Sequence, residues 1–192
     1  MGLVVLIIGL FVFLGAHVFV TFRERRAAAI ARFGNGYRAL FALVSLVGLA
    51  LIVWGYAQYR ATGWIQIWTP PAFMRHITVG LMLIASILAV ATYISSHIRT
   101  KAKHPMLAGI KTWALAHLLS NGDLGSIILF GAFLAWGVYA RIAAKRRGDR
   151  GYGEAAAGWT NDIIVVVLGI VVYLALGFAF HPIVIGVPVF GR

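Results

Sequence analysis

The chain is predicted to be an all-α integral membrane protein, a bundle of about six transmembrane helices with both termini on the outer, periplasmic side. Three observations carry this reading. The first is composition: of 192 residues, 61% are hydrophobic and 11% charged, with a mean hydropathy of +0.91, a balance suited to lipid rather than to a water-facing fold. The second is spacing: apolar runs near spanning length recur with short connections, which also makes residues 1–192 one domain. The third is the placement of the 17 Lys and Arg residues. Loop one holds Arg23, Arg25, Arg26, Arg32 and Arg38. Loop three, with the helix that follows, holds Arg99, Lys101, Lys103 and Lys111. Loop five holds Arg141, Lys145, Arg146, Arg147 and Arg150, which leaves Arg60, Arg75 and Arg192 elsewhere. The positive-inside rule therefore places loops one, three and five in the cytoplasm.

The same composition excludes several chemistries. Without cysteine there is no disulfide, thiolate-held metal, iron–sulfur cluster or haem attached through Cys-x-x-Cys-His. The net charge of +12 sits in short loops between apolar runs, not in a nucleic-acid reading module, so its partner is the anionic surface of the lipid bilayer and not nucleic acid. Five Asp and Glu residues, with Asp149 and Glu154 in loop five and Asp162 at a helix end, do not supply a carboxylate-rich di-metal centre.

The first span, residues 2–22, lacks a basic leader and a cleavage site and reads as a retained anchor. Gly9, Phe13 and His17 share one of its stripes. The second span, 37–59, ends among Trp54, Tyr56 and Tyr59, which suit the interfacial belt. The aromatic loop Arg60 to Arg75 is expected against the membrane surface. The third span covers 74–95. The fourth, 105–120, is short for a crossing of about 20 residues, so Asn121-Gly122-Asp123 after it need not reach bulk water. The fifth covers 124–140. A glycine-rich segment, Gly151 to Gly158, precedes the sixth, 162–180, where Asn161 and Asp162 form a helix start. The tail from Ile183 to Arg192 is expected to fold back or lie at the interface.

Lys103 to Asp123 concentrates the polar groups that lipid penalises. His104-Pro105 starts a helix, and Gly109, Trp113 and His117 form a stripe at i, i+4 spacing. His104 and His117 lie roughly 20 Å apart along that helix, so each needs partners from other helices. The topology places His17, His97 and His104 toward the cytoplasm and His76, His117 and His181 toward the outside. Periodicity alone leaves these side chains open between interhelical hydrogen bonding and metal ligation. Among cofactors, a b-type haem held by two imidazoles best matches histidine-only ligands in an apolar bundle.

His104-Pro105-Met106-Leu107-Ala108-Gly109, Trp113-Ala114-Leu115-Ala116-His117 and Asn121-Gly122-Asp123 together resemble the NnrU family of bacterial inner-membrane proteins. The surroundings of His17, and His181-Pro182 with Gly186-Val187-Pro188, look like the family too. Lys103 stands where an Arg is usual and lacks its planar donor fork. The resemblance implies a multi-pass inner-membrane protein associated with nitrite and nitric oxide metabolism, that is, denitrification. The family is also similar to the plastid 15-cis-ζ-carotene isomerase, which uses haem b. This likeness implies axial ligation of a haem iron by His117 and His17, with Gly109, Trp113 and His104 nearby. His76 and His181 are the alternates to His17, because helix depths offset His17 from His117 by about 12 Å. Ala114 stands where that relative has a cysteine.

Whether the chain is an enzyme stays open at this point. The alternatives to a haem protein of nitrogen-oxide metabolism are a haem-dependent cis–trans isomerase of a carotenoid-like polyene and a membrane methyltransferase-like protein. The last is prompted by His-Pro-x-x-x-Gly, with only Asp149 and Glu154 as acids in loop five. The expected ligand is apolar or a small gas.

Overall fold

A computed structural model describes residues 1–154 and 158–190; Arg192 and part of the glycine-rich segment Gly151 to Gly158 lie outside the described residues. The helices are α1 Gly2–Phe19, α2 Arg23–Phe33, α3 Gly36–Ala61, α4 Met74–Ala91, α5 His97–Ala102, α6 Pro105–Ser120, α7 Leu124–Arg146 and α8 Thr160–Ala175. The last continues as a π-helix, Leu176–Ile185. The chain is all-helical among the described residues, and five of its helices (α1, α3, α4, α7 and α8 with its extension) are long and apolar enough to cross a membrane. The remaining expected span, the fourth at 105–120, is α6 and has 16 residues, about 24 Å against a hydrocarbon thickness of ~30 Å.

Several boundaries differ from the sequence reading for local reasons. The first basic loop is helical: Ala-rich α2, with Glu24 in its first turn, lies exposed along its length. α1 stops at Phe19, where the Thr21 hydroxyl donates to the Val18 carbonyl. α7 runs on to Arg146, where the exposed Lys145 carries a long stem that lets its charge reach water from a helical backbone. The last span continues past His181-Pro182 to Ile185. Proline removes one N–H and crowds the carbonyl four residues back, and the wider π-turn relieves both. Gly186, at φ 74°, then ends the helix, and Phe190 folds back onto Gly177 and Phe178.

α1 packs against α3 and α7, α6 lies between α4 and α7, and α8 lies on α4. The α1–α3 crossing is an antiparallel glycine zipper. A methyl on Gly9 would meet the Ile52 backbone at 2.6 Å, and one on Gly48 the Phe13 backbone at 2.7 Å; Gly2 faces Tyr59, and Gly55 faces Leu6, in the same register. With lipid as apolar as the side chains, such close backbone approach is what holds spans together. Leu6, Leu10, Ile52, Ala114, Leu129 and Phe130 form the core where α1, α3, α6 and α7 meet. Outward, Leu43, Leu46, Val53, Ile163 and Val171 are exposed; an apolar surface this continuous belongs against acyl chains.

Gly55→Ala is expected to destabilise the protein by about 1–3 kcal/mol, since backbone atoms of α1 cannot yield. Gly80→Ala, which meets nothing within 4 Å, should be neutral or gain up to ~1 kcal/mol in helix propensity. Denaturant titration in detergent compares the two.

Candidate site at His117 and His181

His117 sits one turn from the end of α6 with its ring held on two sides. Its Nδ1–H donates to the Trp113 carbonyl at 2.9 Å. A carbonyl only accepts, so this bond fixes the tautomer and leaves the Nε2 lone pair free, as a metal-binding imidazole requires. Phe130 of α7 stacks on the ring at 4.4 Å, and Trp113 lies 5.4 Å away. The backbone around it is pinned: Thr78 of α4 donates to the Ala116 carbonyl at 2.9 Å, and the Asn121 amide donates to the His117 carbonyl at 2.8 Å.

The imidazole nearest His117 is that of His181, from the π-helix: the centroids are 6.1 Å apart and the planes 22° from parallel. Two imidazoles facing one metal ion through nitrogens at about 2.0–2.1 Å have centroids about 6 Å apart. His181 Nδ1 is buried without a hydrogen-bond partner. The donor set, spacing and apolar walls therefore fit a metal held by two imidazoles. No group of three or more His, Cys, Asp or Glu that could hold a bare metal ion occurs among the described residues.

The other sequence-predicted residues are placed as follows. His17 lies in a separate aromatic box, with Phe13 at 4.3 Å, Phe41 at 5.3 Å and Trp136 at 5.7 Å, and its Nδ1–H donates to the Phe13 carbonyl at 2.7 Å. Its contact on α7, Trp136, lies six residues from Phe130, the contact of His117, or about 9 Å along the axis. Phe133, touching both Phe13 and Trp113, stands between the two boxes. Gly109 faces the Ala85 carbonyl of α4, so it admits a neighbouring helix at that point. Trp113 lines the His117 box. His76 is exposed at the start of α4. His104 is at the opposite end of α6, its Nε2 buried and unpartnered, 3.9 Å from the Asp149 carboxylate. That carboxyl is held below the ordinary carboxylate range, chiefly by the Gly151 N–H it accepts and further by His104 and Arg147.

Two features escaped sequence reasoning. Asn121-Gly122-Asp123 is a docking edge: the Gly122 carbonyl accepts from Ile67 and Trp68, Leu124 N–H donates to Ile65, and Asp123 caps α7 through the Ser126 N–H at 2.9 Å. The aromatic loop expected on the membrane surface thus covers the short helix's end; the Asn-Gly-Asp spacing marked the turn but not its partner. At the other end Lys103 has φ 60° and ψ −48°, with His104 N–H donating to the Ala102 carbonyl at 2.6 Å. That is a γ-turn of the rare, strained kind, and no residue pattern announces it. In addition, Asp162 joins α8 to α5, accepting from His97 at 2.7 Å and from the Ile98 N–H at 3.0 Å.

A multi-pass helical protein with paired histidines between its helices is the class that fold and site define. The chain belongs to the NnrU family: the family model described as NnrU protein matches residues 5–189. No curated protein and no solved structure matches it.

Gly122→Ala should cost about 1–3 kcal/mol, because the added methyl would run into the Trp68 carbonyl. Limited proteolysis of the 62–73 loop should accelerate in parallel. Lys103→Gly should stabilise by roughly 1 kcal/mol, relief of the γ-turn exceeding glycine's added freedom in the unfolded chain; thermal unfolding in detergent measures it.

Proposed function

We propose that this NnrU-family protein binds one haem b in the inner membrane of a bacterium and serves nitrite and nitric oxide metabolism. The observation that carries the haem reading is the pair of imidazoles 6.1 Å apart, one with its tautomer set by a backbone carbonyl. His117 and His181 would hold its iron; His17, separated from them by Phe13, Phe133 and Trp113, would stand apart from it. A bis-imidazole haem supplies one-electron transfer when bound. The family resemblance supports the link to nitrogen oxides. The positive-inside rule supports an orientation with the basic loops in the cytoplasm and the His117 end outward.

The residues have separable tasks. Trp113, through its carbonyl, orients the His117 ring and fixes its tautomer. Phe130 holds that ring in one plane. Asn121 and Thr78 fix the backbone from which it projects. The π-turn at Pro182 sets the position of His181, in keeping with the frequent use of such turns at functional sites. The apolar surroundings exclude water and admit a small uncharged ligand from the bilayer.

Protein purified in mild detergent after expression with ample haem should show oxidised and reduced spectra of a low-spin b-type centre. His117→Ala and His181→Ala should each lower haem content at least tenfold, and His17→Ala should leave it near wild type. Loss in His17→Ala with retention in His181→Ala would make His17 the partner. An absent spectrum in the wild type would remove the cofactor. Nitric oxide and a cis-polyene, added to the loaded protein, then separate gas chemistry from isomerisation.

A further inference from the structure

Antiparallel neighbours such as α1 and α3 are ordinarily joined by about 2–8 residues, yet the chain takes residues 20–35 to connect them and folds most of these into α2. α2 has no buried residue, so the bundle core does not call for it. It carries four arginines and one glutamate, with Ile30 and Phe33 exposed among them. Where it meets the ends of α1 and α3 there is a hollow of about 230 Å³, with Ala16, Phe19, Ala29, Phe33, Leu40 and Phe41 among its walls. We propose that this corner binds one anionic phospholipid, an acyl chain in the hollow and the phosphate against Arg25 and Arg32.

The hollow suits a hydrocarbon chain. Its walls are aliphatic side chains and aromatic rings, so water inside would find no hydrogen-bond partners. Helix interfaces otherwise pack closely, and a void of this size leaves its lining atoms without dispersion partners. Its rim is open to the side, where Leu40 and Phe33 are 45% and 48% exposed. A lipid lying against α1 and α3 can therefore insert a chain without any helix moving.

The charge beside the hollow selects the headgroup. Arg25, Ala29 and Arg32 fall on one stripe of α2 at i, i+4 and i+7. A cation thus stands on either side of Ala29, which walls the hollow. The Arg32 guanidinium also lies 5.5 Å from the centre of the Phe33 ring, another wall. Among the described residues no ion pair joins Arg25, Arg26 or Arg32 to a carboxylate. Their forked donors match phosphate oxygens in pairs. An apolar segment of a second copy would fill the hollow but leave these guanidinium groups without counter-charge; an anionic lipid satisfies both. The positive-inside rule supports the cytoplasmic leaflet for this end, where α2 lies at the level of the headgroups.

The test uses the whole protein in nanodiscs of equal phosphatidylglycerol and phosphatidylcholine, with lipid retention and oligomeric mass read by native mass spectrometry. One phosphatidylglycerol retained per chain, at least tenfold over phosphatidylcholine, is expected. Ala29→Leu fills the hollow from an exposed helix and should lower that retention at least tenfold. Arg25→Gln with Arg32→Gln leaves the hollow intact and should abolish the preference between the two lipids. Thermal unfolding in lipid-free detergent should be the same for wild type and both variants, which separates binding from folding. Equal retention of the two lipids by wild type, wild-type retention in folded Ala29→Leu, or a preference unchanged in the double variant overturns the proposal. So does a dimer that carries no lipid and dissociates in Ala29→Leu, which gives the hollow to a second copy.

Discussion

A helix too short to cross the membrane must have its ends met by protein, and much of this fold follows from that constraint on α6. Sixteen residues leave unsatisfied N–H and C=O groups within reach of hydrocarbon, where water cannot compensate. At one end the Asn121 amide returns to the His117 carbonyl, Gly122 accepts two N–H groups from the 65–68 segment, and Asp123 opens α7. At the other, a strained turn at Lys103 is fastened by Tyr152. Between these ends α6 is shielded laterally by α4 and α7. His104 and His117 lie toward its two ends, where polar groups must be present anyway.

The histidines divide along the same line. Toward one end of α6 an imidazole is tied to a backbone carbonyl, stacked on Phe130 and set beside a second imidazole. Toward the other, His104 lies beside Lys103 and 3.9 Å from the Asp149 carboxylate. His17 and His117 share a motif, Gly, aromatic, His on one stripe, and the same Nδ1 bond to a carbonyl four residues back. They differ in what surrounds them. His17 is enclosed by carbon-rich rings and the Trp136 edge, whereas His117 meets a second imidazole, that of His181. Identical local chemistry on two helices thus leads to different environments, and the packing of α7 between them sets the difference.

Glycine is used in two ways, and only one leaves a sequence trace. In α1 and α3 the glycines recur at seven-residue spacing and bring two helices into close contact. Gly109, which the resemblance put near a cofactor, takes the same kind of role toward α4. Gly122 admits the Trp68 carbonyl, a contact from more than fifty positions away that no local pattern encodes.

The sequence by itself determined the apolar surroundings, the helical class and some of the helix starts, since hydrocarbon admits only hydrogen-bonded helices there and Pro105 and Asp162 fall in the first turns of α6 and α8. It also separated the histidines into two sets of three by the distribution of Lys and Arg. Tertiary structure alone decided which member of a set meets which. The axial position of His181 depends on a π-turn through Pro182 that an ideal helix would not allow, and that of His17 on the α1–α3 zipper register. It likewise decided that Lys103 occupies a γ-turn, because that conformation persists only where a distant backbone, at Tyr152, holds it. Periodicity reports which face a residue is on; the distance between two faces is set by the side chains of other helices, and that is where the site resides.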